Sequence, residues 1–373
     1  MENTHKILIT WWLGYIWSHT AVVFGQAWYD VVIVDNLSNS HIWVLDAITQ
    51  LIWYKPKFYE TDIRNANSLE KIFEENSDID WVIHLAAKKA VWESCQDPFL
   101  YYDNNVQGTV SLLKIMLDYN IRNIVFSSSA TVYDALKLIP PFSENDRLST
   151  NNPYGTTKLM MEYLLKDMSS HKNFNSVILR YFNPIWAHAS WLIWETPKWI
   201  PSNLVPFIYK VTKWEIGKLN VRGNDYKTDD GTWVRDYVHV MDVAEAHLAS
   251  YKHILDYIQF QTMAENQAWL FDIFNIWTWH GQSVKEIIEI AEKITEKKIE
   301  YEMSPRRAWD VDISIANPLK AKQVLWREAT RSIFQSVEDW WKFVNNQDII
   351  TTVPEKKHHP KAKPVLKPKP KKK

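Results

Sequence analysis

Glycine is nearly missing from this chain, with 8 residues in 373, where an average soluble protein of that length has about 26. Too few are left to serve the left-handed turns and close backbone approaches of a large fold. Cysteine is scarcer still. The single Cys95 excludes an internal disulfide framework and fits a reducing compartment, as a packed thiol rather than a nucleophile. Long apolar runs are lacking too, so no segment reaches the ~20 residues of a membrane span. The chain runs into Lys6-Ile7-Leu8-Ile9-Thr10 without the charged region and apolar core of a secretory leader. Net charge is only −1, which gives no general pull towards nucleic acid. A cytoplasmic protein with no membrane, nucleic-acid or metal partner is the expectation.

What is abundant is tryptophan. The 21 tryptophans and 8 glycines together make 29, close to the glycine count expected of such a chain. They also stand where glycine is needed. Trp11-Trp12-Leu13-Gly14-Tyr15-Ile16-Trp17 follows an apolar strand and opens a helix. With glycine at the Trp positions it reads G-G-x-G-Y-I-G, a dinucleotide-binding loop that sets a pyrophosphate on a helix N-terminus. An indole at Trp11 would enter the cofactor's space, and one at Trp17 would wedge the helix off the sheet. We therefore read most of the tryptophans as UGA codons, which one genetic code translates as tryptophan and another as glycine. GGN glycines such as Gly14, Gly108, Gly155, Gly223 and Gly231 then survive unchanged. Trp340 and Trp341 are adjacent, and at least one is expected to be a true tryptophan packing the last helix.

Short apolar stretches alternate with amphipathic ones. Strands are predicted at 6–10, 31–35, 58–62, 81–86, 124–129 and 177–182, with helices at 16–27, 105–119 and 154–170. That alternation predicts an α/β, Rossmann-type doubly wound parallel sheet. Beyond residue 183 the chain is rich in loops and prolines to 230. Strands at 234–239 and 271–276 and helices at 242–255 and 283–295 follow. The expected organisation is a dinucleotide-binding domain at 1–183, with a segment near 233–255 returning to it. A smaller C-terminal substrate-binding domain at 184–345 closes over the carboxyl edge of the sheet. A basic, proline- and lysine-rich tail at 346–373 is expected to be disordered.

Asp35 ends the second strand about 20 residues past the loop, where an acid hydrogen-bonds a ribose and favours NAD over NADP. Tyr154-Gly155-Thr156-Thr157-Lys158 places a phenol and an ammonium on one helix face. A nearby cation favours a phenolate, which suits general acid–base work. Ser127-Ser128-Ser129-Ala130-Thr131-Val132-Tyr133 ends the fifth strand 25 residues before Tyr154, so a serine can reach the same reacting oxygen.

With these go Val34-Asp35-Asn36-Leu37, Asp62-Ile63-Arg64, Tyr101-Tyr102-Asp103-Asn104-Asn105, Asn152-Pro153-Tyr154-Gly155 and Arg180-Tyr181-Phe182-Asn183-Pro184. Gly231 to Val240 matches as well, and Asn275-Ile276-Trp277-Thr278-Trp279-His280-Gly281 reads N-I-G-T-G-x-G. On these residues the chain, over about 6–345, resembles the extended short-chain dehydrogenases/reductases, and among them the enzymes that epimerise UDP-hexoses at carbon 4.

The resemblance implies NAD as cofactor and a homodimer. It implies interconversion of UDP-glucose and UDP-galactose through a transient 4-keto sugar. Tyr154 would be the catalytic base, Lys158 its electrostatic partner and a ligand of the nicotinamide ribose, and Ser129 the group that orients the substrate hydroxyl. The loop residues Trp11, Gly14, Tyr15, Ile16 and Trp17 would hold the cofactor with Asp35, Asn36, Asp62, Ile63, Lys89 and Asn104. Asn183, Asn203, Arg235, Arg307 and Asp310 would bind the uridine diphosphate and its sugar. Ser314, four residues past Asp310, occupies a gatekeeping position where a small side chain leaves room for N-acetylated sugars.

Asp134 departs from the resemblance, standing where the family has glycine. Related folds carry out 4,6-dehydration with an acid pair beside the serine, but here Thr131-Val132 follows. A UDP-glucuronate decarboxylase is a weaker alternative. Were the tryptophans genuine, a non-catalytic sugar-binding protein with a filled cofactor cleft would be the reading from another class.

Overall fold

The first half of the chain builds the parallel sheet in the order its apolar stretches suggest. A computed structural model describes residues 5–10, 14–181, 183–185, 187–195, 204–213, 215–263, 269–307 and 310–350. Trp11, Asn203 and the tail from 351 onward lie outside the described residues. Strand β1 (Lys6–Thr10) leads to α1 (Tyr15–Gln26), β2 (Asp30–Asp35), α2 (Trp43–Ile52) and β3 (Lys57–Glu60). Then α3 (Ala66–Glu75) and β4 (Ile79–His84) precede two short helices, α4 (Val91–Gln96) and α5 (Pro98–Tyr101). A π-helical turn at Tyr102–Gln107 runs into α6 (Gly108–Asp118), followed by β5 (Asn123–Ser127), α7 (Pro153–Lys172) and β6 (Asn175–Arg180).

The remaining elements follow β6. They are β7 (Asn183–Ile185), α8 (Leu204–Thr212), β8 (Leu219–Arg222), β9 (Val234–His239), α9 (Val240–Met263) and β10 (Phe271–Asn275). After these come β11 (Gly281–Ser283), α10 (Val284–Thr295), β12 (Tyr301–Ser304), β13 (Ile313–Ser314), α11 (Leu319–Val324) and α12 (Ile333–Ile350). The stretch expected to be loop-rich, 184–230, contains α8, whose apolar residues surround Pro206, and β8, a strand of only four residues. Likewise α12 continues to Ile350, past the expected start of the tail.

Seven strands form one sheet in the order β10-β6-β5-β4-β1-β2-β3, every pairing parallel. Strands such as Val31-Val32-Ile33-Val34 are buried on both faces, which is why they read as unbroken apolar runs. The order reverses between β1 and β4, and at such a switch point ligands bind beyond the carboxyl ends of the strands. The seventh strand, β10, lies beyond the 233–255 segment expected to return to the sheet, and it pairs with β6 in full register. A second core gathers Ile185, Val205, Ile208, Val221, Ile287 and Trp340. Trp340 is fully buried with its ring 5.9 Å from that of Trp341, so this pair does pack the last helix.

Burial sets an acid sensitivity. The rings of His84 and His247 are wholly buried, which pushes their pKa down to about 3 and about 4, and burial holds His19 well below its ordinary value. In the unfolded chain each titrates near 6.5. The unfolded state therefore binds more protons between about pH 6.5 and pH 4, and stability falls as pH drops through that window. The slope is about 1.4 kcal/mol per pH unit per ring. Asp236, raised to about 6 by burial, offsets roughly one of the three. Urea unfolding at pH 7 and pH 5 should show a clear loss at pH 5; equal stability would refute the assignment.

Candidate active site

Glycine 155 is what lets the site assemble. Asn152 caps α7 by accepting from the Gly155 N–H at 2.8 Å, and Pro153 occupies the first helical position. A Cβ on Gly155 would lie 2.8 Å from the Thr131 carbonyl oxygen, so only glycine lets the helix start press on the turn after β5. That contact brings Tyr154 beside Ser129, whose hydroxyl draws the phenol's pKa down. Ser129 also accepts from the Thr131 N–H at 3.2 Å and its hydroxyl at 3.0 Å. One helical turn on, Lys158 is buried, donating from Nζ to the Ser127 carbonyl at 2.6 Å and lying 4.8 Å from the centre of the Phe126 ring.

Burial, not the neighbouring cation, dominates both titrations. It pushes the Tyr154 phenol up to about 12, against which the Ser129 hydroxyl works, and the Lys158 ammonium down to about 7, which Glu162 partly opposes. The expectation that Lys158 brings the phenol down is not met in this arrangement. The ammonium is turned to the Ser127 backbone carbonyl.

Beneath this pair lies a network that sequence reasoning missed. Glu162, on α7 one turn beyond Lys158, forms a fully buried ion pair with Arg180 at the end of β6, at 2.6 and 3.0 Å. The Ser128 hydroxyl donates to the same carboxylate. Arg180 also donates to the Tyr133 hydroxyl at 3.0 Å, and Tyr133 donates to Asn275 on β10 at 2.7 Å. Its one signal in the sequence is the i, i+4 spacing of Lys158 and Glu162. His84 was also missed. At the carboxyl end of β4 it bridges the hydroxyls of Thr10 and Thr109 at 2.7 and 2.8 Å.

The cofactor candidates fall along the carboxyl edge. Gly14 precedes α1, with Tyr15, Ile16 and Trp17 buried in its first turn. Asp35 ends β2, buried, accepting from the Leu37 N–H at 2.6 Å and from the Ser40 hydroxyl. Asn36 donates to Asp62 at 3.2 Å, and Asp62 holds Arg64, so these three sit together past β2 and β3. Ile63 is buried beneath Gly108. Asn104 is buried in the π-helical turn and donates to Asn105 at 3.0 Å. Lys89, past β4, pairs with Glu195 at 3.1 Å and lies 6.0 Å from the centre of the Tyr15 ring.

The sugar-nucleotide candidates gather on β9. Ser314 on β13 is the register partner of Arg235, and Asn183 on β7 that of Tyr237. Buried Arg235 donates to the carbonyls of Val234 and Val311 and lies 4.0 Å from Asp310, which accepts from the Tyr226 hydroxyl at 3.3 Å. Arg307 is half-buried, its carbonyl accepting from the Asp310 N–H. Asp134 is buried and pairs with Arg147 at 3.1 Å, so the departure from glycine there has a partner. Among the described residues no cluster of His, Cys, Asp and Glu could hold a metal.

A family profile described as GDP-mannose 4,6 dehydratase matches residues 8–339. The UDP-glucose 4-epimerase of Haemophilus influenzae is 43% identical over 343 residues, 91% of this chain and 97% of its own. The chain belongs to the UDP-glucose 4-epimerase family. A solved member from Stenotrophomonas maltophila, with bound NAD and formylated UDP-arabinopyranose, superposes with a TM-score of 0.85 at 36% identity, covering 93% of this chain and 99% of that one. The epimerase of Bifidobacterium longum, in complex with NAD+ and UDP, gives 0.83 at 40%, covering 90% and 98%. The profile's name covers dehydratases, but Ala130, Thr131 and Val132 after Ser129 provide no acid pair, and the epimerases named above match over 90% or more of this chain.

Proposed function

We propose that this protein is a NAD-dependent epimerase that interconverts UDP-glucose and UDP-galactose through a transient 4-keto sugar. The observation that carries the reading is Tyr154 set beside Ser129 with buried Lys158 one turn away, at the carboxyl end of a parallel sheet. Tyr154 serves as the base for the sugar's 4-hydroxyl, Ser129 orients that hydroxyl, and Lys158 supplies local positive charge. NAD, when bound, supplies reversible hydride uptake from carbon 4. The donors present suit it: Asp35 for a ribose, Asp62 and Ile63 beside the adenine, and Lys89, Asn104 and Lys158 towards the nicotinamide half. Asn183, Arg235, Arg307 and Asp310 hold the UDP-sugar, arginine forks giving the diphosphate paired contacts. The division into a cofactor domain and a smaller substrate domain, with the site between, belongs to this reading. Incubating the enzyme with UDP-galactose and following UDP-glucose by chromatography tests it, and no interconversion in NAD-retaining protein would end it.

Ser314 extends the proposal to UDP-N-acetylglucosamine and UDP-N-acetylgalactosamine. The serine is buried beside Arg235, and a bulkier side chain there takes up the space of an acetamide. Ser314→Tyr is expected to lower kcat/KM on the N-acetylated pair by about a hundredfold, in line with the 1–3 kcal/mol of overpacking, while sparing the plain hexoses. Equal losses on both pairs would count against the gatekeeping role.

A homodimer is the assembly we propose. Met160 and Tyr163 share an exposed face of α7, and exposed Phe99 lies on α5, which packs against α7. Apolar groups clustered this way mark an interaction surface. Tyr163→Glu is expected to convert a dimer to a monomer in sedimentation velocity; a wild-type monomer would refute the assembly.

No described helix is long and apolar enough to cross a membrane. We place the enzyme in the cytoplasm, on its single cysteine.

A further inference from the structure

Among the described residues, nine besides glycine hold φ in the left-handed region, and five of them are tryptophan. These are Trp28 at +66°, Trp53 at +60°, Trp191 at +62°, Trp279 at +70° and Trp326 at +53°. Tryptophan is 21 of 373 residues, so five of nine does not follow from composition. Two of the other four are asparagines, Asn120 and Asn173, the residue that tolerates this conformation best after glycine. A bulky side chain there is an outlier that needs a compensating contact.

The core supplies none at three of the five. After α1 the Trp28 N–H donates to the Gly25 carbonyl at 3.0 Å and the Tyr29 N–H to the Phe24 carbonyl at 3.2 Å. That is a Schellman motif with Trp28 at the position glycine takes. Trp53 ends α2 in the same left-handed conformation, and Trp326 lies just past α11. Their side chains are 72%, 76% and 89% exposed; the Trp28 and Trp53 rings lie 6.5 Å apart at the surface, and burial in the core offsets the strain at none of the three. At Trp279 the backbone turns to give its N–H, with that of Thr278, to the buried carboxylate of Asp236 at 2.9 and 3.0 Å. The fold needs the backbone there and has no use for the ring. Trp43 is the contrast: the first residue of α2, similarly exposed to Trp279, it lies outside the left-handed set.

We infer that the cell that makes this protein reads UGA through a glycine-charged transfer RNA, and that its protein carries glycine at positions 28, 53, 191, 279 and 326. This goes beyond the catalytic reading and does not depend on it, because backbone conformation alone selects the five positions. It also sorts the tryptophans one by one, which composition could not do.

Peptide mass spectrometry of the protein purified from its own source reads the five positions directly. Glycine at all five is the expected result, and tryptophan at any of them overturns the assignment. A second measurement uses the recombinant chain with every tryptophan in place. Trp28→Gly, Trp53→Gly and Trp326→Gly are each expected to raise the folding equilibrium constant roughly two- to fivefold, the strain relieved exceeding the entropy lost. Trp43→Gly, inside a helix, is expected to lower it. If the first three also lower it, the inference fails. Neither experiment reads activity, so an inactive enzyme with glycine at these positions would sink the epimerase reading and leave this one standing.

Discussion

Replacing Tyr154 with phenylalanine in NAD-retaining enzyme is expected to lower kcat by about 10³- to 10⁴-fold with little change in KM. The phenylalanine keeps the ring, which is half-buried and meets Tyr101 edge-on at 6.4 Å between centroids, so folding and cofactor retention should survive. What disappears is the phenol hydroxyl beside Ser129. Positioned proton transfer contributes typically 10²–10⁴-fold, and the upper end applies because Tyr154 is the one base proposed for the sugar's 4-hydroxyl. Steady-state kinetics, with bound NAD read by absorbance after gel filtration, separates the outcomes. A loss below tenfold would remove Tyr154 from the chemistry. A large loss accompanied by release of NAD would make its role structural instead.

That prediction could be framed before any coordinates because the spacing of Tyr154 and Lys158 on a helix and the serine run ending β5 were legible in the sequence. So were all the core strands. Val31-Val32-Ile33-Val34 and Ile124-Val125-Phe126 are buried on both faces, and such strands declare themselves as apolar runs. What the sequence could not show was depth. Lys158 looks like any helix lysine until the fold closes over it and turns its Nζ to the Ser127 carbonyl, and burial is then the largest influence on the titration of Tyr154. Glu162 was faint for a related reason. A glutamate on a helix is ordinarily a solvated charge, and only the return of the chain along β6, which brings Arg180 against it, makes it a buried partner. Arg235, Ser314 and Asn183 are separated by up to 131 positions, and only the pairing of β7, β9 and β13 brings them onto one small sheet.

The second large effect concerns the loop before α1, and here the expected change is a gain. Restoring glycine at positions 11 and 17 together is expected to tighten NAD binding by about 10²- to 10⁴-fold over the chain carrying tryptophan. Trp17 shows part of the reason. Its indole is buried in the first turn of α1, and its N–H finds no hydrogen-bond partner among the described residues. An unsatisfied buried donor costs about 1–3 kcal/mol, and overpacking at the helix–sheet contact adds about as much. Trp11 lies outside the described residues, and its share rests on the loop's chemistry: that position forms a tight turn beside a pyrophosphate, where a backbone without a side chain fits. The Trp17 penalties fall on the folded chain with or without NAD and reach affinity through the displaced start of α1, so the gain rests chiefly on clearing the Trp11 ring from the pyrophosphate's space. Isothermal titration with NAD on both proteins measures the difference. If the tryptophan-bearing chain binds NAD as tightly as its glycine counterpart, the loop tolerates an indole, and the steric case for glycine at 11 and 17 is lost.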